Sequence, residues 1–261
     1  MTIIPALVPP LPREKKWNRK LSPTAAFDWL KAGWQDLSIN PSASLSYGLL
    51  VFLVSVGIIG GLFAFGWDYF LFPALAGFMV VGPVLAIGLY EKSRRIAEKK
   101  SVNLVHMVAV KPRSGGQILF TGVLLCGLML LWMRAAVIIY ALFFGLRPFP
   151  GLDHIAEMLF ASPIGWAMLI VGSAVGGLFA AFSFAISAFS IPMLLSERTD
   201  ALTAMGTSMA LVWNNLSVML IWAIIVLSLF LFSLATGLVG LIVVFPLLGH
   251  GTWHAYRAMR P

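Results

Sequence analysis

The sequence is poor in charge: Asp, Glu, Lys and Arg make up 11% of its 261 residues, whereas hydrophobic residues make up 60%. A soluble domain carries about 25% charged residues and roughly 45–50% apolar ones. The mean hydropathy of +0.93 reflects the same excess of apolar over charged residues. This composition excludes a soluble globular protein and indicates an integral membrane protein that has the lipid bilayer as its first partner.

Cysteine and acidic residues are also scarce. The single cysteine, Cys126, excludes an intramolecular disulfide. The sequence has no paired catalytic carboxylates, no hydrolase elbow and no phosphate-binding loop, and its loops are too short for a catalytic domain outside the membrane. We therefore expect no enzymatic activity. The net charge of +8 is explained by membrane orientation, so we expect no nucleic-acid partner.

Six apolar segments are long enough to cross a bilayer, which takes about 20 mostly apolar residues. The fold class is therefore an all-α membrane protein, in which residues 1–21 form an arm rich in Pro, Lys and Arg and residues 22–261 form the transmembrane domain. The boundary between the fifth and sixth spans is the least defined one. The predicted spans are 44–66, 69–90, 117–145, 161–195, 209–231 and 235–256.

The basic residues are segregated to one side of these six spans. Of the 18 Lys and Arg residues, only Arg134 and Arg147 lie elsewhere, and the segments on the other side carry Asp68, Asp153 and Glu157 instead. Cytoplasmic loops of membrane proteins carry an excess of Lys and Arg. We therefore predict a multi-pass protein of the bacterial inner membrane with both termini in the cytoplasm.

The three even-numbered spans end alike, in a Pro, one apolar residue and a Leu, followed by a polar segment. The prolines are Pro83, Pro192 and Pro246. Because Pro frees a backbone carbonyl one turn earlier, it predicts a helix bend at each place. Amphipathic stretches also precede the odd-numbered spans, which suggests three repeats of an interfacial helix plus a helical hairpin. Chance similarity between hydrophobic sequences is the rival explanation.

The amphipathic stretch before the first span has the clearest pattern. Phe27, Leu30, Trp34 and Leu37 recur at spacings of three, four and three residues. This period places them on one face of a helix, while charged residues occupy the remainder. The pattern predicts a helix that lies in the membrane interface with this apolar face against lipid.

One charge and one pattern of small residues stand out within the spans. Arg134 lies deep in the third span, where a charge is costly. Arg134 has two interpretations. In the first, it serves an anion or proton pathway or contacts a cofactor. In the second, it snorkels outward or contacts a partner. Small residues recur every four positions in the first and fourth spans and predict close helix packing, within the bundle or against another subunit. They are Gly57, Gly61, Gly172, Gly176, Ala180, Ser173, Gly177 and Ala181.

The histidines leave three interpretations open. His250 and His254 share a helix face near the end of the sixth span, beside Trp253 and Tyr256. They form an aromatic and basic interface belt, they bind a metal or haem with His106 as a further ligand, or they relay protons. Since no HExxH motif, cysteine pair or carboxylate-rich set is present, we expect no cofactor, with haem or metal as the alternative.

Three stretches carry a resemblance to a known family: "WLKAGWQDLSINPSASLSYG" at 29–48, "SERTDALTAMGTSMALVWNN" at 196–215 and "PLLGHGTWHAYR" at 246–257. The chain resembles a bacterial family of uncharacterised integral membrane proteins, filed as a domain of unknown function. Some members are labelled cytochrome c oxidase subunit I, which implies a respiratory setting. An oxidase catalytic subunit needs six histidines for its metals, and this chain has four.

These observations favour a non-enzymatic accessory or assembly subunit that packs against partner subunits of a larger membrane complex, with a respiratory or photosynthetic complex as one setting. Uncharged helices and small-residue faces suit that role. The first alternative is a permease for a small amphiphilic or anionic solute, with Arg134 and the three prolines along its path. The second is a haem- or metal-binding membrane subunit.

Overall fold

A computed structural model describes residues 17–145 and 151–260. All regular structure in these ranges is helical, as predicted. A short 3-10 helix, Asp68–Phe70, precedes the third α-helix. The α-helices are α1 (Ala25–Ser38), α2 (Pro41–Ala64), α3 (Leu71–Leu85), α4 (Ile87–Ala97), α5 (Leu104–Val108), α6 (Gly115–Phe144), α7 (Leu152–Phe160), α8 (Pro163–Ser187), α9 (Ser190–Ser196), α10 (Ala201–Asn214), α11 (Leu216–Ala235) and α12 (Leu241–Met259).

Five helical segments of the described residues are long and apolar enough to cross a membrane: Pro41–Ala64, Asp68–Ala97, Gly115–Phe144, Pro163–Ser196 and Leu216–Ala235. They correspond to the first five predicted spans, so the multi-pass membrane character is confirmed. The sixth predicted span forms α12, but its C-terminal half contains histidines and an arginine and lowers the hydropathy of the helix. The count of six is therefore not confirmed.

The last two predicted spans begin too early. Residues 209–214 belong to α10, which ends at Asn214. The side chain of the next residue, Asn215, donates hydrogen bonds to the carbonyls of Leu211 and Trp17, each at 2.8 Å. Residues 236–240 form a turn in which Gly237 and Leu238 both have positive φ. The corrected starts are therefore Leu216 and Leu241.

The three prolines lie in different surroundings. The helical segment that contains Pro83 is interrupted at Ala86, and the one that contains Pro192 is interrupted just before it, at Ala188 and Phe189. Helix α12 continues through Pro246. There α2 comes so close that a Cβ added to Gly48 would collide with the Ile242 carbonyl, the carbonyl that a proline at 246 leaves without its helical N–H partner.

The tightest packing lies at the end of the bundle where the basic segments meet. We call this the basic end; it comprises residues 17–44, 90–114, 189–222 and 250–260. Backbone and side-chain contacts join these segments: Arg113 N–H donates to the Leu195 carbonyl, and Arg260 pairs with Glu197 at 2.5 Å. The largest fully buried side chains include Trp222, Tyr90, Lys92, Phe189 and Leu211. The segregation predicted from sequence thus appears in the fold.

Helix α1 packs along α12, with Gly33 against Gly251: a Cβ on Gly33 would lie 2.6 Å from the Gly251 nitrogen. The buried face of α1 comprises Ala26, Trp29, Gly33, Asp36 and Leu37. The predicted apolar face shares only Leu37 with this buried face. Two of its members, Phe27 and Trp34, are 56% and 53% exposed, and their contact with lipid stays a prediction.

The three predicted repeats are recognisable in the order of elements, because α1, α5 and α10 each precede a long apolar helix. They are not equal, however: α5 has only five residues, and the second unit contains the extra helix α7. The repeat stays a prediction. Of the predicted arm, residues 1–16 lie outside the described residues, whereas Arg19 contacts Asn215 and Met259.

Candidate functional site

A buried polar cluster occupies the basic end, and His250 is its centre. The His250 side chain is fully buried. Its Nε2 atom lies 2.9 Å from the Ser44 hydroxyl on α2, and its Nδ1 atom lies 2.8 Å from the Ser93 hydroxyl on α4. One imidazole therefore joins α12 to two other helices.

Lys92 extends this cluster and indicates how its protons are arranged. Its Nζ atom donates to the Ser44 hydroxyl oxygen at 2.7 Å and to the Asn40 carbonyl at 3.1 Å. The Ser44 hydroxyl hydrogen then has Nε2 of His250 as its acceptor within the cluster. We assign the ring proton of His250 to Nδ1, which donates to Ser93.

Lys92 is a buried cation without a carboxylate at ion-pair distance among the described residues. Its relative exposure is 0%, and the ion pairs of the described chain involve other residues. Buried lysines are uncommon unless they are paired. Here a hydroxyl and a backbone carbonyl supply the hydrogen bonds, so Lys92 fixes the start of α2 against α4.

The second histidine of the pair has a different role. His254 Nε2 lies 2.8 Å from Oδ2 of Asp36 on α1, in a pair whose histidine side chain is 31% exposed. Asp36 belongs to the face of α1 that packs on α12. His254 therefore fastens α1 to α12 one turn beyond His250.

A neighbouring charged cluster holds α4, α5 and α9 together. Glu91, which is 4% exposed, pairs with Arg94 at 2.7 Å and Arg95 at 3.8 Å. Arg94 also donates to the Leu195 carbonyl, and Arg95 lies 3.5 Å from Nε2 of His106. His106 is therefore placed beside an arginine guanidinium.

These partners bear on the three interpretations of the histidines. No group of three or more His, Cys, Asp or Glu residues within the described ranges is placed to hold a metal ion. His250 offers both ring nitrogens to serines, and His254 faces Asp36. Trp253 and Tyr256 are 2% and 3% exposed, so they pack inside the protein and do not form a lipid-facing belt. A proton relay through His250 has no opening in either described cavity.

A large apolar groove lies toward the opposite end, which we call the outer end (residues 64–71 and 151–163). Its volume is about 1300 Å³, and it is formed by α3, α6, α7 and α8. Gly172, Ser173, Gly176, Gly177 and Ala180 of α8 line one wall. Because these residues are small, their side chains do not narrow the groove.

The small residues of the sequence thus have unequal contacts. A Cβ on Gly176 would lie 2.9 Å from the Trp132 ring of α6, whereas one on Gly57, Gly61 or Gly172 would meet nothing within 4 Å. Gly176 therefore makes the kind of close approach that the pattern predicts. Gly177 is as open as Gly172, and the exposed Ala181 lies beside Ala180 on α8. At the positions where a Cβ would meet nothing, close packing would require another molecule, and it stays a prediction.

Arg134 lies on the exposed face of α6, between Leu130 and Ile138, which are each 58% exposed. It lines neither described cavity. The pathway interpretation of Arg134 therefore lacks a supporting contact. The interpretation as a snorkelling or partner-facing residue remains a prediction.

A smaller cavity of about 190 Å³ lies between α3, α8, α11 and α12. It is lined by Pro83 and by Ala86 and Ala188, two of the residues at which helices are interrupted. Ala180 lines both this cavity and the apolar groove. The two spaces are therefore neighbours on either side of α8.

Comparison with known proteins finds a family model that matches the middle of the chain. Residues 71–196 match the family described as "Predicted integral membrane protein (DUF2189)". This match confirms the predicted resemblance to an uncharacterised multi-pass membrane family. The matched range runs from α3 to α9 and includes the long helices of the groove. The stretches 29–48 and 246–257 lie outside it, and the stretch 196–215 shares only residue 196 with it. No curated protein and no solved structure matches the chain.

The sequence did not reveal the partners of His250. Ser44 and Ser93 are ordinary hydroxyl residues near the ends of predicted spans, and Lys92 is one of seven basic residues between the second and third spans. The single available signal was that these polar residues lie within one turn of a span end. That signal does not tell which residues meet across 206 positions.

Proposed function

We propose that this protein is a non-enzymatic accessory or assembly subunit of a larger membrane complex in the bacterial inner membrane. The observation that supports the proposal is the outer half of α2. The buried residues of α2 are Ala43, Ser44, Gly48 and Val51. From Phe52 to Ala64, the helix has no buried residue.

In this outer half of α2, Phe52 and Ile59 pack partly against the core, whereas a Cβ at Gly57, Gly60 or Gly61 would meet nothing within 4 Å. A glycine within a helix is destabilising by about 0.5–1 kcal/mol relative to alanine. Among the described residues, no close helix approach at these three glycines offsets that cost. In a bilayer, small residues allow two helices to approach closely and gain packing energy, so a partner helix accounts for the three glycines.

The other half of α2 supplies a rigid base. Gly48 packs directly on α12, and Ser44 is hydrogen-bonded to Lys92 and His250. A helix that is fixed at one end presents the glycine face of the other end in one orientation. Pre-organisation of this kind reduces the ordering cost of association.

The proposed topology has six spans, with α12 as the sixth and the basic end in the cytoplasm. The basic end collects the cationic segments in the fold, and the positive-inside rule then assigns it to the cytoplasmic side. Because Arg260 pairs with Glu197, the C-terminal segment lies at the same end as the segment after α9. The hairpin of α11 and α12 therefore enters and leaves the bilayer on one side.

The proposal is tested by purifying the tagged full-length protein from its own membranes in a mild detergent. We expect a different membrane protein to co-purify in a fixed ratio. The double variant Gly57→Leu, Gly61→Leu should lose this partner, whereas Gly172→Leu, equally open but on α8, should retain it. Repeated isolation of a lone monomer, or of a homodimer, would contradict the proposal.

A permease for a small amphiphile is the second candidate, because the apolar groove and the smaller cavity share Ala180. Together they extend from the outer end toward Thr252 at the basic end. Transport into liposomes tests this candidate. Activity that is blocked by Ala180→Phe would support it. A wild-type protein without transport of any amphiphile tested would count against it.

A further inference from the structure

We propose that the apolar groove binds one amphiphile with two acyl chains and an amine-bearing headgroup, the headgroup lying at the outer end. The groove is open on one side and nearly all of its lining is apolar. Its volume of about 1300 Å³ would accommodate on the order of 40 non-hydrogen atoms at about 30 Å³ each. That is the size of a membrane lipid and too large for a single small solute.

The tail region is built by α6 and α8. Trp132 of α6 packs over Gly176 and forms part of the wall. Around it lie Phe72, Val137 and Met168, which are residues that bind hydrocarbon and offer it no hydrogen bond. Gly172 determines the width of the groove, because any larger side chain at this position would extend into the groove.

A hydrogen-bond donor without a partner lies in the same wall. Trp132 Nε1 is buried and has no acceptor among the described residues. A buried donor left unsatisfied costs about 1–3 kcal/mol, so native proteins usually satisfy it. An acyl amphiphile is mostly hydrocarbon, but its ester carbonyl accepts a hydrogen bond and matches the Trp132 donor.

The mouth of the groove carries the charge that selects the headgroup. Asp68 and Tyr69 line it, and no described Lys, Arg or His forms an ion pair with Asp68. A carboxylate at the mouth attracts a headgroup that carries a protonated amine. It repels a headgroup that carries an anionic phosphate and no amine. The expected class is therefore ethanolamine-type over glycerol-type headgroups.

Helix α7 covers this mouth. Ile155, Met158 and Leu159 face the groove, and the tight turn into α8 fixes α7 there, since Gly165 has no room for a Cβ next to the carbonyls of Met158 and Leu159. A short helix in this position places apolar side chains over the upper part of the acyl chains. The amine is left at the level of Asp68.

This site does not depend on the proposed partner subunit, because the groove and the outer half of α2 are separate surfaces. The test uses the full-length protein in detergent and native mass spectrometry. Phosphatidylethanolamine, phosphatidylglycerol and free ethanolamine are titrated separately. We expect one molecule of phosphatidylethanolamine per chain, bound about tenfold more tightly than phosphatidylglycerol, the factor of one charge-assisted hydrogen bond. Free ethanolamine should not bind.

Two variants and one control separate the parts of the proposal. Asp68→Asn should bring the two lipids to equal affinity, with the tails still bound. Gly172→Leu should abolish stoichiometric binding of both. Gly57→Leu, which adds the same side chain at an equally open position outside the groove, should change neither.

Several results would overturn the inference. These are equal binding of both lipids by the wild type, many lipids bound without a stoichiometric one, and unchanged binding by Gly172→Leu. If Gly172→Leu fails to fold, the headgroup preference of Asp68→Asn decides, since this substitution keeps the size of the side chain and removes no packing. Loss of the partner in Gly57→Leu, Gly61→Leu would leave this site intact, so the two proposals can fail separately.

Discussion

The Nε2 atom of His250 lies 2.9 Å from the Ser44 hydroxyl, although the two residues are 206 positions apart in the chain. This contact joins the start of the first span to the last helix. Through Ser93 and Lys92 it also includes α4. The cluster therefore closes the bundle at its basic end, where the N-terminal and C-terminal thirds of the described chain meet.

His250→Ala should destabilise the protein strongly, because it leaves hydroxyls of Ser44 and Ser93 without their partner and opens a cavity. Each buried polar group left unsatisfied costs about 1–3 kcal/mol. The measurement is the apparent unfolding temperature in detergent. His254→Ala is the comparison: its side chain is 31% exposed, so it opens a smaller cavity and leaves one buried group, the Asp36 carboxylate, without its partner, and we expect a smaller loss of about 1–3 kcal/mol.

The same variant tests the haem alternative. If His250 held a haem, the wild type purified from its own membranes would show a visible absorption band that His250→Ala removes. We expect the spectra of the two proteins to be the same and the unfolding temperatures to differ. Equal stability of His250→Ala and His254→Ala would contradict the structural role of the cluster.

Gly33→Ala should loosen α1 from α12. The added Cβ would lie 2.6 Å from the Gly251 nitrogen and 2.9 Å from the Leu247 carbonyl oxygen, both backbone atoms that cannot rotate away. Overpacking of this kind costs about 1–3 kcal/mol. Gly206→Ala in α10 is the matched control, because its Cβ would meet nothing and should stabilise the helix by up to about 1 kcal/mol. Limited proteolysis and thermal unfolding should rank the two variants oppositely.

The sequence predicted the long apolar helices because lipid imposes a simple rule on composition. Residues 117–145, for example, match α6 within two residues at its start and one at its end. It placed the start of the fifth span at residue 209, seven residues before Leu216, since the Asn215 side chain that precedes this helix bonds to the distant Trp17 carbonyl. Contacts between residues remote in sequence leave no local pattern.

The small residues illustrate the same limit within the candidate site. Their spacing on α8 correctly placed Gly172 and Gly176 on the same wall, but spacing cannot tell whether a neighbouring helix fills the space. In the fold, Trp132 reaches Gly176 and leaves Gly172 open. One sequence motif thus contains both a packing contact and a groove wall, and this difference required the position of α6.

The stability of α10 should depend on pH through its N-cap. The pKa of Asp200 is lowered from its ordinary value of 3.8, first by a hydrogen bond from the Thr203 side chain and then by one from the Thr203 backbone N–H, which the carboxylate accepts at 2.8 Å. Because the folded-state pKa is the lower one, the cap stabilises the protein above pH 3.8. Its contribution is lost as the pH falls through the folded-state value.

Asp200→Asn keeps a capping oxygen but does not titrate. We expect the wild type to unfold at a higher temperature than Asp200→Asn at neutral pH, and we expect this difference to shrink as the pH is lowered from about 5 to about 3. Unfolding temperatures measured at intervals of half a pH unit provide the check. A difference that stays constant over this range would show that the carboxylate does not act as the cap.

The proposed topology predicts which added cysteines are labelled from outside the cell. In a Cys126→Ser background, Lys31→Cys, Lys111→Cys and Arg257→Cys should resist a membrane-impermeant maleimide in intact spheroplasts, because cationic segments are retained in the cytoplasm. Glu157→Cys, at the outer end, should react. Detergent permeabilisation should make all four react, which controls for burial. Labelling of Arg257→Cys but not Lys31→Cys from outside would show that the number of spans is odd. Labelling of Glu157→Cys and Lys111→Cys from the same side would show that the basic end and the outer end do not lie on opposite sides of the membrane. In that case the amine site at the groove mouth would not face outward.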